Sequence, residues 1–116
     1  MGKEKKEAIQ EIAMSQSTNG GHFYQIHGSG NIAQAIRKIH GQALREGRGR
    51  EVAEALHVLQ RRLQMNPGNL GEALYRLAAL RLQVRTVVIG PLVVNFGVHE
   101  VRPLVFIKGV RLLSKS

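Results

Sequence analysis

Two matched helical stripes, Ile32-Ile36-Ile39-Ala43 and Val52-Leu56-Leu59-Leu63, limit what this chain can fold into more than any other feature. Each steps by four, three and four residues, so its members share one face of an α-helix and build an apolar seam. Two helices with the same seam can pack together. Between them, Glu46-Gly47-Arg48-Gly49-Arg50 offers two glycines for a reversal and too few residues for anything except an antiparallel αα-hairpin. Ser29 or Asn31 can cap the first helix through a side-chain oxygen. Asn66-Pro67-Gly68 ends the second, because proline disfavours helical geometry in the residue before it.

The flanking segments read as strands. His22-Phe23-Tyr24-Gln25-Ile26-His27 has two aromatics and alternating character, enough for one short strand before Gly28-Ser29-Gly30. After the hairpin, residues 69–82 fit no single pattern. Gln83 to Ile89 is a β-branched run, Gly90-Pro91 is a turn signal, and Leu92 to Val98 is a second run, which together predict an antiparallel hairpin. Leu104 to Leu113 gives a last strand, with Gly109 a plausible bulge. The expected order is strand, helix, helix, strand, strand, strand. Residues 2–14 have the pattern of a short amphipathic helix and residues 15–21 that of a linker, so 1–21 is expected to be an extension and 22–116 a single domain.

At 116 residues and 43% hydrophobic, the chain can bury one core. It has no cysteine, which excludes disulfides and thiolate metal sites. Its five histidines lack metal-ligand spacing and there is no Asp, so no metal or other cofactor is expected. Serine-nucleophile catalysis lacks a carboxylate of the usual kind to orient a histidine. No run approaches the roughly twenty apolar residues of a membrane span, and the mixed-charge start is unlike a signal peptide, so the expected location is the cytoplasm.

Charge points to an anionic partner. There are 17 Lys and Arg against 8 Glu, and eleven of the cations are Arg, whose planar fork matches phosphate oxygens in pairs. Residues 1–21 are balanced, with three Lys and three Glu, whereas residues 73–116 hold seven cations against Glu100 alone. The excess therefore lies in the predicted sheet. A solvated surface that keeps a small protein soluble is the plain alternative.

Over about residues 22–113, element order and local sequence resemble the RelE/ParE toxin superfamily. The segments that carry the likeness are the Arg- and Glu-rich hairpin, Gly71-Glu72-Ala73-Leu74-Tyr75-Arg76-Leu77, Phe96-Gly97-Val98-His99-Glu100 and Val105-Phe106-Ile107-Lys108. The resemblance implies an α+β fold in which an N-terminal strand leads into an antiparallel helical hairpin packed on one face of a small curved antiparallel sheet. It implies a toxin of a type II toxin-antitoxin system, masked by a small acidic antitoxin. RelE-like members are metal-independent endoribonucleases that cut mRNA on the ribosome, and ParE-like members inhibit DNA gyrase by binding it.

For the RNA-cleaving branch the chemistry needs help for the attacking 2′-hydroxyl, cations at the phosphate and an acid for the leaving oxygen. The resemblance and the charge distribution nominate Arg85, His99, Lys108 and Arg111 as the catalytic set. Tyr75, Arg76, Arg81 and Arg85 are nominated for contact with nucleic acid or a partner. His99 and Glu100 are the sheet-region groups suited to proton transfer. Lys108 and Arg111 have opposite strand parity and share a face only if a bulge at Gly109 shifts the alternation. Arg85 shares parity with Val87 and Ile89. The chain closes Arg111-Leu112-Leu113-Ser114-Lys115-Ser116, where RNA-cleaving members usually carry a Tyr or His, and Leu92-Val93-Val94 stands where an Arg is expected. A ParE-like gyrase inhibitor and a non-cleaving basic module that binds nucleic acid or an acidic protein therefore stand beside the nuclease.

Overall fold

The computed structural model describes residues 23–114. The expected amphipathic segment at 2–14 and the linker at 15–21 lie outside the described residues. Strand β1 (Gln25–Gly28) leads into helices α1 (Gly30–Arg45) and α2 (Gly49–Met65), then β2 (Glu72–Leu77), β3 (Leu82–Ile89), β4 (Leu92–His99) and β5 (Leu104–Leu112). One five-stranded sheet has the order β1-β5-β4-β3-β2.

The helices form where the stripes predict. Ser29 caps α1, its Oγ accepting from the Ile32 N–H at 3.4 Å. The reversal uses Gly47 at φ +72, and the Arg48 N–H returns to the Ala43 carbonyl at 2.7 Å. Ile32, Ile39 and Ala43 of the first stripe and Val52, Leu59 and Leu63 of the second are buried. Met65 ends α2, and Pro67 opens a single 3₁₀ turn.

The sheet meets this seam with one face only. Val87, Leu92, Val94, Phe96, Val98 and Val105 join the helix residues in one core, with Ile26, Ile89, Ile107, Val110 and Leu112 at its margin. Fully burying one such side chain stabilises by roughly 1.5–3 kcal/mol. Strict alternation along β4 explains why its odd members, such as Asn95, face away from the helices. Gly90 at φ +55 followed by Pro91 matches the sign pattern of a type II′ hairpin turn, as the sequence suggested.

Three expectations need correction. The sheet is mixed, because β1 runs parallel to β5, with Ile26 beside Val105 and His27 beside Phe106. The long αα crossover makes this possible, since it returns the chain to the other side of the sheet before β2 begins. The stretch at 69–82 contains a strand, β2, that the sequence pattern concealed. It is an edge strand exposed on nearly every residue, so no burial period marks it. The first strand starts at Gln25, three residues later than its apolar pattern suggested.

Candidate nucleic-acid interface

Among the described residues, no further layer covers the face of the sheet turned away from the helices. Cross-strand partners define it: Leu82 with His99, Val84 with Gly97, Thr86 with Asn95 and Val88 with Val93 between β3 and β4, then Val93 with Arg111 and Gly97 with Phe106 toward β5. Its centre is sealed by the sheet's own side chains. Leu82 and Val84 are buried there, and Leu82 lies over Gly97, where an added Cβ would approach Leu82 Cδ1 to 3.3 Å.

A bulge in β5 arranges the cations. Asn95 pairs with Gly109 while Phe96 pairs with Ile107, which leaves Lys108 as the extra residue. Ile107 and Val110 both pack against the core. Lys108 and Arg111 consequently lie on the open side, both exposed, beside partners two residues apart on β4, a spacing of about 7 Å. The bulge foreseen at Gly109 thus does bring these two cations to one face. Next to them the His27 and Phe106 rings stack at 5.4 Å between centroids and 25° between planes. Neither ring was nominated from the sequence, although the parity of Phe106 against buried Val105 could have shown it.

Arg85 belongs elsewhere, and its reading as a surface cation is corrected. It pairs with Phe96 on the helix side and is 9% exposed. Its Nε donates to the Leu70 carbonyl at 2.9 Å and its Nη2 to the Gly71 carbonyl at 3.1 Å, with Nη1 on Gln83 Oε1 at 3.1 Å. The guanidinium fastens the entry to β2 where Gly71 holds φ +67.

His99 lies on the open side at the far end of β4. Its Nδ1 accepts the N–H groups of Val101 at 3.1 Å and Arg102 at 2.9 Å, so a neutral ring carries its proton on Nε2. Six residues of β4 separate it from Val93, the partner of Arg111, or about 20 Å of strand. The structure does not gather Arg85, His99, Lys108 and Arg111 around one point.

Tyr75 pairs with Val84 and is 52% exposed on the open face, toward the opposite edge from His27. A second bulge, at Leu74, changes the parity within β2, so Arg76 pairs with Gln83 on the other side. Arg76 is engaged bidentately by Glu100. That bond holds the Glu100 carboxyl below the ordinary carboxylate value and raises the Arg76 guanidinium. Arg81 is exposed in the β2–β3 turn in the left-handed conformation, at φ 53. Among the described residues no group of three His or Glu side chains could hold a metal ion, and no helix is long and apolar enough to cross a membrane.

Fold and face together define a small α+β domain with one helix-covered and one open, basic sheet surface. Compared with known proteins, the chain matches no family model, no curated protein and no solved structure.

Proposed function

We propose that this chain is a RelE/ParE-like toxin component that acts by binding, with its open sheet face taking the sugar-phosphate backbone of RNA. The observation that carries this reading is the β5 bulge, which sets Lys108 and Arg111 side by side next to the His27–Phe106 stack. Cations for phosphates beside a ring surface for bases are the two elements that single-stranded nucleic acid recognition uses. Exposed Val88 and Tyr75 on the same face would give a small acidic antitoxin its apolar contacts. Cleavage is the weaker reading, because Arg85 is committed to backbone carbonyls and His99 stands far from Arg111.

The test has two parts. Binding of a short single-stranded RNA should weaken steeply with salt, and the Lys108→Ala/Arg111→Ala variant should flatten the log–log slope by about 1.4, or 0.7 per lost phosphate contact. Induction in a bacterium should arrest growth without creating new mRNA 5′ ends. New ends within translated codons would establish cleavage instead. Arrest with no RNA affinity would turn the reading toward gyrase.

A further inference from the structure

Arg76 differs from the other sheet cations in having its donor edge already filled by a carboxylate. Its Nε and Nη2 meet Glu100 Oε2 and Oε1 at 2.5 and 2.8 Å, the side-on arrangement in which a guanidinium takes two phosphate oxygens. Residue 100 is set there by its own backbone, whose N–H donates to the Arg81 carbonyl at 2.9 Å. That bond joins the β4–β5 loop to the β2–β3 turn.

The surroundings are cationic. The Arg81 charge adds to the effect of Arg76 in lowering the Glu100 carboxyl. The pair is open to solvent, with side-chain exposures of 59% for Arg76 and 31% for Glu100, so the carboxylate can swing away without unpacking the core. Arg81 meanwhile holds a left-handed backbone without being glycine, a conformation that persists only where neighbouring structure enforces it.

We propose that Arg76, with Arg81 beside it, forms a phosphate subsite at this end of the sheet, and that Glu100 occupies it as an internal stand-in which an arriving phosphate group displaces. The inference deepens the binding function proposed above and rests on it for the biological source of the phosphate. It adds a second anchoring point at the end of the sheet remote from Arg111. Glu100 weakens binding of any anion that cannot compete with it.

The test uses inorganic phosphate and the full chain. Phosphate is titrated while the arginine Nε–Hε resonances are followed by NMR in wild type, Glu100→Gln, Arg76→Ala and the double variant. An exposed ion pair withholds its arginine by a factor of up to about five, so Glu100→Gln should half-saturate at roughly fivefold lower phosphate. The gain should vanish in Arg76→Ala/Glu100→Gln. A Glu100→Gln midpoint within twofold of wild type would overturn the proposal. So would a gain that survives in the Arg76→Ala background, since it would then come from net charge alone. Glu100→Ala serves as a second unmasking variant, and unchanged amide spectra verify that each protein is folded. Because the phosphate titration involves no RNA, its outcome is separate from that of the Lys108→Ala/Arg111→Ala salt experiment.

Discussion

Replacing Arg85 tests whether this cation is structural. In Arg85→Ala, the Leu70 carbonyl at 2.9 Å and the Gly71 carbonyl at 3.1 Å both lose a charged donor. Leu70 is buried and Gly71 is exposed, so water can reach the second carbonyl more readily than the first. An orphaned buried acceptor costs about 1–3 kcal/mol. Loss of the aliphatic stem beside Phe96 adds roughly 1–2 kcal/mol. Relief from desolvating the guanidinium offsets part of this. The net expectation is a loss of about 3 kcal/mol, which for a domain of this size lowers Tm by roughly 12–24 °C. Arg85→Met keeps much of the stem and should lose about half as much. Arg85→Lys should fall between wild type and Ala, because an ammonium group lacks the fork that spans two carbonyls. Thermal unfolding followed by circular dichroism measures all three. An Arg85→Ala protein melting within about 3 °C of wild type would refute the structural role, since 3 °C is under about 1 kcal/mol here.

Lys108→Ala/Arg111→Ala, which removes two exposed cations, should stay within about 0.5 kcal/mol of wild type in the same melts. Gly71→Ala should prevent stable folding in urea titrations, because its Cβ would come within 2.0 Å of the Thr86 carbonyl oxygen at a φ of +67. Gly30→Ala, where a Cβ meets nothing within 4 Å, should be neutral or stabilising by up to about 1 kcal/mol. Ser29→Ala should cost about 1 kcal/mol through loss of the α1 cap. Glu100 has a folded pKa below its ordinary value of 4.5, so its contribution is fully present above that value and is lost as pH falls through the lower folded one. The Tm difference between wild type and Glu100→Gln should accordingly shrink toward zero on acidification, and a difference constant with pH would exclude the ion pair as its source.

Local periodicity was enough to read much of the architecture. The Ile32 and Val52 stripes, the Ser29 cap, the glycine reversal and the Pro67 stop are all set by residues within a turn or two of one another, so the helical hairpin was legible. The runs around Val87, Val94 and Val105 declared strands because each buries one face. The acid-poor character of residues 73–116 is likewise a property of the sequence itself. Strand β2 escaped because an edge strand exposed on both sides carries no alternation. The parallel pairing of β1 with β5 escaped because residues such as Ile26 and Val105 are joined only across the whole domain.

The candidate site divides along the same line. Residue types supplied the cations, and parity together with Gly109 anticipated that Lys108 and Arg111 could share a face. Only the tertiary structure decided the fate of each cation. Arg85 turned inward because the Leu70 and Gly71 carbonyls come to it across the sheet, His99 gave Nδ1 to its own loop, and Arg76 received a carboxylate from 24 residues away. A side chain's type fixes which bonds it can make, whereas the partners that arrive within hydrogen-bonding distance are chosen by the packing of segments remote in the chain.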